Sequence, residues 1–227
     1  MFNGLILLQV TDMEGGEGSN SFVDIILQGG ALGMLIMLVL LVLSVIAAYI
    51  FFERFMTINK AAMIDDSFMN NIRAYVQSGN IASAKALCQS TDSPAARMVE
   101  KGILRIGKPL RDIDAAIENV GNLEVFKLEK GLSTLASIAG AAPMIGFFGT
   151  VTGMIMAFYN MSTAQNITPS VLAGGIYQAL LTTALGLFIG ILAFIGYNIL
   201  VAKVDKVVFK MERTTTEFMD LLQEPSN

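Results

Sequence analysis

The sequence contains no histidine, no tryptophan and a single cysteine among its 227 residues. One cysteine excludes an intramolecular disulfide, and the lack of histidine and of paired cysteines excludes the usual structural zinc sites. Charged residues make up only 15% of the chain, whereas a soluble domain carries about a quarter. The net charge of −4 gives no attraction for nucleic acid. These deficits argue against a soluble enzyme and a nucleic-acid-binding protein, and they favour a membrane protein.

Two long stretches, 25–52 and 131–202, lack every Asp, Glu, Lys and Arg. A helix rises about 1.5 Å per residue and the hydrocarbon layer is about 30 Å thick, so about 20 residues cross it. The first stretch holds one predicted span, and the second holds two on either side of a polar connection. The sequence therefore predicts an all-α membrane protein with three transmembrane helices, at 31–52, 131–160 and 170–202.

The basic residues predict the orientation of these spans. Residues 1–24 contain acids but no Lys or Arg, whereas 53–130 and 203–227 hold all 15 basic residues. Because basic residues are enriched in cytoplasmic segments, we expect 53–130 and the tail 203–227 to be cytoplasmic. The N-terminal part, 1–30, is then extracytoplasmic and carries a short amphipathic helix, and 161–169 is an extracytoplasmic loop. An odd number of spans agrees with this N-out/C-in topology.

The cytoplasmic segment shows apolar residues at helical spacing and is expected to form a helical bundle. From Ile113 the pattern runs towards the second span without a strong breaker, which predicts one long helix that enters the membrane. Apolar residues recur three and four apart in the tail, as in a heptad seam that needs a partner helix: Val204, Val208, Met211, Thr215, Phe218 and Leu222. Cys88 lies among Ala and Leu and is interpreted as a buried core residue.

The second and third spans carry small and hydroxyl residues where a purely structural span would be rich in leucine. The second span contains Pro143, Gly146, Gly149, Thr150 and Gly153, and the third contains Gln178, Thr182, Thr183, Gly186 and Gly190. In one interpretation the glycines let helices touch, the proline kinks its helix and the threonines bond to their own turns. In the other, the polar side chains line a pathway. The residues alone leave both open.

No predicted span holds a carboxylate, a lysine or a histidine. Hydroxyl and carboxamide groups can line a path or offer oxygen ligands, but they do not titrate near neutral pH. If an ion crosses the membrane here, the titrating or charged group must therefore come from another chain.

Three segments resemble the MotA/TolQ/ExbB proton channel family. They are residues 142–153 (APMIGFFGTVTG), residues 175–188 (GIYQALLTTALGLF) and residues 79–88 (GNIASAKALC). The resemblance extends over about 29–206, and the three spans with a short tail are similar to the ExbB/TolQ branch. Flagellar stators resemble an arrangement of four spans, and this chain has no room for a fourth span.

The resemblance implies a subunit of the bacterial inner membrane that is not an enzyme and has no cofactor. It implies a homopentamer around the single spans of ExbD/TolR-like partners, each with an intramembrane Asp. Ion flow would then drive TonB-dependent outer-membrane transport or envelope maintenance, indirectly through TonB/TolA-like proteins. Thr150 and Thr183 match the family's pore-facing threonines.

Two positions depart from the ExbB pattern. Gln178 stands where many ExbB-like chains have Glu, and Thr182 stands where Ala is common. Both changes favour oxygen coordination over proton exchange, so sodium bound transiently at Thr150, Thr182 and Thr183 is a hypothesis beside the proton. The alternatives for the whole chain are a non-conducting membrane scaffold and a flagellar or gliding stator relative.

Overall fold

The computed structural model describes residues 30–63, 67–163 and 169–223. Within these ranges the chain forms seven α-helices and no strand. In chain order they are α1 (Gly30–Ala61), α2 (Ser67–Gln77), α3 (Ile81–Ser90), α4 (Pro94–Ile103), α5 (Leu110–Glu129), α6 (Leu132–Thr163) and α7 (Pro169–Gln223).

Three of these helices, α1, α6 and α7, are long and apolar enough to cross a membrane. The all-α class with three membrane-spanning helices is thereby confirmed. The N-out/C-in orientation and the segment boundaries stay predictions. The amphipathic helix expected within 1–30 lies outside the described residues, as does most of the 161–169 connection.

Helix α7 continues without a break from the third predicted span to Gln223, a total of 55 residues. The buried side chains of its tail are spaced three and four apart: Val204, Val207, Met211, Thr214, Phe218 and Leu221. The predicted seam was right at Val204, Met211 and Phe218 and displaced by one residue at the other three positions. Each displaced pair consists of two identical neighbours, such as Val207 and Val208, so composition could not choose between them.

The partner of this seam is the bundle formed by α2 to α5. Phe68 and Ile72 of α2, and Ala84 and Cys88 of α3, are buried in the same core as the tail. Helix α4 contacts the tail at Gly102, where an added Cβ would lie 2.5 Å from Cε1 of Phe218. Cys88 is a buried thiol as predicted, and its burial, with the nearby Glu100, raises its pKa to about 12.

Helices α3 and α4 begin at polar caps. The side-chain oxygen of Asn80 accepts from the backbone N–H of Ser83 at 3.1 Å, and the hydroxyl of Ser93 accepts from the N–H of Ala96 at 3.2 Å. Pro94 occupies the first turn of α4, where its missing N–H leaves no helical bond unmade. Short polar breakers in the sequence therefore separate the helices of the bundle.

The expectation of one continuous helix from Ile113 into the membrane is wrong at a single point. Helix α5 ends at Glu129, Lys130 has an extended ψ of 126°, and α6 begins at Leu132. Gly131 has a φ of +84°, a conformation that glycine adopts without the strain of a side chain. The break separates α5, which carries charged residues, from the apolar helix α6.

Helices α6 and α7 pack with their backbones in close contact. A Cβ at Gly146 would lie 2.8 Å from the carbonyl oxygen of Thr182, and one at Gly186 would lie 2.6 Å from that of Ala142. Nearer the start of α6, a Cβ at Gly190 would lie 2.5 Å from Cγ of Pro143. At the opposite end Gly153 faces Ala179. Small residues along both helices therefore set the distance between them.

A charged cluster joins α4 to α5 in the bundle. Glu124 is only 3% exposed; Arg97 Nη2 and Lys127 Nζ each donate to its carboxylate at 2.7 Å. Burial alone would raise the pKa of Glu124, but the bonds from Arg97 and Lys127 outweigh it and hold the pKa below its usual range. The cluster therefore stabilises the fold while Glu124 is ionised.

We expect Gly186→Ala to separate α6 from α7, because the added methyl group would overlap a backbone carbonyl that cannot move alone. Gly140→Ala is the control, since a Cβ there meets nothing within 4 Å in the described chain. Gly186→Ala should cost about 1–3 kcal/mol and Gly140→Ala should be neutral or slightly stabilising. Thermal unfolding in detergent measures both, and equal midpoints would contradict the packing account.

We expect Arg97→Ala to cost about 1–3 kcal/mol, because it leaves the buried Glu124 carboxylate without its main partner. Arg213→Ala, which breaks the more exposed pair with Glu217, should cost less than about 1 kcal/mol. Since the folded pKa of Glu124 is depressed, its contribution is present above the ordinary value of about 4.3 and is lost as the pH falls below it. Thermal midpoints of wild type and Arg97→Ala should therefore converge below that pH.

Candidate functional site

Threonine hydroxyls from α6 and α7 converge on the carbonyl oxygen of Gly146. Thr183 Oγ1 donates to this oxygen at 2.9 Å, across the helix contact. Thr150, one turn after Gly146 on α6, lies 3.3 Å from the same oxygen, and its hydroxyl also contacts that of Thr183. Thr183 reaches Gly146 only because the glycines allow the two helices to approach. Its hydroxyl is therefore bonded to the neighbouring helix rather than to its own turn.

Thr182 belongs to the helix contact itself. Its hydroxyl donates to the carbonyl of Ala179 at 2.7 Å and lies 3.4 Å from Gly146 O. The residue is 2% exposed, and a Cβ at Gly149 would lie 2.5 Å from its Oγ1. Consecutive helical residues point about 100° apart, which explains why Thr182 is enclosed while Thr183 is half-buried.

A groove runs along α6 beside Thr150, with a volume of about 540 Å³. The residues that line it are Phe147, Thr150, Val151, Met154, Ile155 and Phe158. Thr150 is the one polar side chain among them. The hydroxyl pair of Thr150 and Thr183 therefore lies where the tight helix contact meets an open apolar surface.

Gln178 lies away from this hydroxyl pair, one turn before Thr182 on α7. Its Nε2 atom is buried and has no hydrogen-bond partner within the described part of the chain. The amide instead faces α1, where a Cβ at Gly33 would lie 3.0 Å from Nε2. Of the predicted pathway residues, the structure thus brings Thr150, Thr182 and Thr183 together and leaves Gln178 apart.

The site offers neutral oxygens only. Three hydroxyls and one carbonyl meet around Gly146, inside a stretch of the sequence that holds no Asp, Glu, Lys, Arg or His. The described residues contain no group of three or more His, Cys, Asp or Glu that could hold a metal ion. Such a site can hydrogen-bond a carboxylate or coordinate a cation, but it cannot itself take up and release a proton.

Two parts of the site were missed from the sequence. The shared acceptor, Gly146 O, is a backbone atom and leaves no mark in residue type. The groove did leave a signal, because Phe147, Val151 and Ile155 recur four apart and Phe158 follows after three. Helix α1 also borders the site, because a Cβ added at Gly149 would lie 3.4 Å from Cγ2 of Ile36.

The model of the MotA/TolQ/ExbB proton channel family matches residues 90–213. The match runs from the end of α3 into the tail of α7, and it includes every residue of the hydroxyl cluster and the groove.

Curated relatives carry names from the same family. The chain is 35% identical over 122 residues to the Tol-Pal system protein TolQ of Pseudomonas aeruginosa, which is 51% of this chain and 53% of the relative. It is 34% identical over 121 residues to a putative biopolymer transport protein ExbB homolog of Methanothermobacter thermautotrophicus, 53% of this chain and 42% of the relative. It is 42% identical over 74 residues to the biopolymer transport protein ExbB of Neisseria gonorrhoeae, 33% of this chain and 34% of the relative.

The chain thus spans about half the length, or less, of the curated relatives it matches. The family match nevertheless covers more than half of this chain, and it falls on the helices that build the site. With its three apolar helices, the chain is a multi-pass membrane protein that belongs to the MotA/TolQ/ExbB proton channel family, in its ExbB/TolQ branch.

Proposed function

We propose that the chain is the ion-driven motor subunit of a bacterial inner-membrane complex, in which a second polypeptide supplies the charged group. The observation that carries this proposal is the hydroxyl pair of Thr150 and Thr183, which lies beside an open apolar groove in a stretch, 131–202, that holds no Asp, Glu, Lys, Arg or His. The partner is an ExbD/TolR-like protein whose single span holds an aspartate. The chain performs no bond-making chemistry of its own.

The groove suits such a partner on physical grounds. Its wall is aromatic and aliphatic, as a single apolar helix requires, and its one hydroxyl can donate a hydrogen bond to a carboxylate. A lone carboxylate in lipid is costly, and hydrogen bonds to the charged form reduce that cost. The groove can therefore shelter a group that the partner could not expose to lipid.

The hydroxyls can turn towards a carboxylate without leaving the Gly146 carbonyl unpaired. Gly146 O also accepts the backbone bond from the residue four further along the helix, which is Thr150. Threonine hydroxyls rotate freely to suit their partners. Either hydroxyl can thus alternate between Gly146 O and a partner's carboxylate as that group gains or loses its ion.

In the proposed assembly, copies of this chain form a ring, a homopentamer, around the partner spans. Each elementary charge that crosses 100 mV releases about 2.3 kcal/mol. That energy would move the ring relative to the partner, and TonB/TolA-like proteins would carry the motion to outer-membrane transport or envelope maintenance. The rivals are a non-conducting scaffold, whose threonines only pack, and a flagellar or gliding stator relative, which a three-span chain disfavours.

We expect Thr150→Val and Thr183→Val each to reduce ion flux through the assembled complex at least about tenfold, a barrier change of about 1.4 kcal/mol. Valine keeps the shape of threonine but removes the hydroxyl. Thr152→Val is the matched control, because Thr152 bonds back to the carbonyls of Phe148 and Gly149 on its own helix. Flux in proteoliposomes with the partner present measures all three variants, and full flux in both site variants would favour the scaffold.

The proposed coupling ion is the proton, with sodium as the second candidate. Sodium is favoured by one feature, the four neutral oxygens around Gly146, since hard cations bind oxygen ligands. Thr182 weakens that case, because its hydroxyl is already tied to Ala179 and is enclosed.

We expect partner-dependent activity to persist in sodium-free buffer at a fixed proton gradient. The same preparation assayed with sodium restored is the control for losses during buffer exchange. Activity that disappears without sodium and returns with it would make sodium the coupling ion.

A further inference from the structure

Several large apolar side chains are exposed outside the predicted spans, and three of the most exposed lie on α5 and on the tail of α7. Leu123 and Phe126 lie on α5 with 62% and 73% of their surface exposed, and Phe209 lies on the tail of α7 with 66% exposed. Contiguous apolar surface on an aqueous segment commonly marks a contact with another molecule, whereas single exposed side chains are common. Leu123 and Phe126 are three residues apart and so form one patch on α5.

Contacts with other helices place the three side chains in the same part of the cytoplasmic bundle. At the membrane side, α1 bonds to both elements: Arg54 Nη1 donates to Lys127 O at 3.2 Å, and Lys203 Nζ donates to Asn59 Oδ1 at 2.7 Å. Further into the cytoplasmic bundle, Gly102 contacts the side chains of Ile117 and Phe218 together. Leu123 and Phe126 lie between these two levels on α5, and Phe209 lies between them on the tail.

The two apolar surfaces lie on different sides of the chain. On α5 the buried residues Gly121, Glu124 and Leu128 face the core, and Leu123 and Phe126 lie on the outer side. On the tail Val207 and Met211 face the same core, and Phe209 lies opposite them. Because both helices turn their buried faces towards one core, their exposed patches point outwards in different directions.

A second copy of this chain is the occupant that fits both patches. Charged residues lie at the membrane-side level, namely Arg54, Lys127 and Lys203. The patches therefore lie beyond the hydrocarbon layer, and lipid tails do not cover them. Rotation about an axis normal to the membrane preserves level, and a head-to-tail ring needs two different surfaces at the same level. The membrane-side ends of the patches carry charges of both signs, with Lys130 beside Glu129 at the end of α5 and Asp205 beside Lys206 on α7. Neither Lys130 nor Asp205 forms an ion pair within the described residues.

We infer that Leu123 and Phe126 of one copy pack against Phe209 of the next, in a head-to-tail interface between the cytoplasmic segments of neighbouring copies. Lys130 and Asp205 meet at the membrane-side edge of this interface. The inference rests on the homo-oligomer in the proposed function and names the surfaces that hold it together. The interface lies more than one helical turn outside the ion pathway at Thr150 and Thr183.

Disulfide cross-linking in membranes tests the interface directly. The single native cysteine is buried, and Cys88→Ser removes it altogether. In that background, one tagged chain carries Leu123→Cys and a second, differently tagged chain carries Phe209→Cys. Oxidation of co-expressed chains should give a dimer that contains both tags and no dimer of one tag alone, since a disulfide requires Cβ atoms within about 4.5 Å. A single chain with both substitutions should give a ladder of dimers and larger species.

Leu123→Cys combined with Asp220→Cys is the matched control. Asp220 is also exposed on the outer side of the tail, but it lies 11 positions beyond Phe209, about 16 Å further from the membrane. This pair should give at least tenfold less cross-linked dimer. Phe126→Cys replaces Leu123→Cys if the latter chain fails to accumulate.

A charge exchange gives a second measurement. Lys130→Glu should reduce the Leu123–Phe209 cross-link severalfold, and Asp205→Lys on the other chain should restore it. The inference is overturned if the cysteines react with a maleimide yet form no two-tag dimer. It is also overturned if dimers of one tag dominate, or if the doubly substituted chain closes on itself. If the oligomer still assembles and conducts ions but this cross-link does not form, the interface is wrong and the proposed function stands. If the cross-link forms but Thr150→Val keeps full ion flux, the interface stands and the proposed function is contradicted.

Discussion

The close backbone contact between α6 and α7 is the constraint on which the site depends. At Gly146 and Gly186 the two backbones approach so closely that neither position has room for a methyl group. That approach brings Thr183 within 2.9 Å of a carbonyl on the other helix, and it brings the hydroxyls of Thr150 and Thr183 together. With larger side chains at the glycines, Thr183 would lose the carbonyl of Gly146, and Thr150 would keep only the bond to that carbonyl within its own turn, so the groove would no longer have a pair of hydroxyls at its edge.

The chemistry of the site follows from what surrounds it. Neutral oxygens in an uncharged stretch of 72 residues can accept or guide an ion but cannot be its titrating carrier. In the proposed assembly, other chains would cover both the groove within the spans and the cytoplasmic patches of α5 and α7.

Much of the fold could be predicted from the sequence because its signals are local. Charge-free runs predicted the three long helices, and Ser93 with Pro94 marked the start of α4. The break at Gly131 was missed although glycine is the residue that its φ of +84° requires, since an isolated glycine in a helical pattern is often tolerated. The tail seam was displaced at three positions because identical neighbours, such as Leu221 and Leu222, occupy both alternatives.

By itself, then, the sequence determined the class of protein, the number of apolar helices and the residue types available in the spans, because hydropathy, charge and helix breakers act over a few residues. Only the tertiary structure decided which of those residues meet. Thr182 and Thr183 are adjacent and chemically identical, yet one is enclosed in the helix contact and the other donates across it beside the groove. That difference depends on the rotation and separation of two helices, which the packing of distant glycines sets.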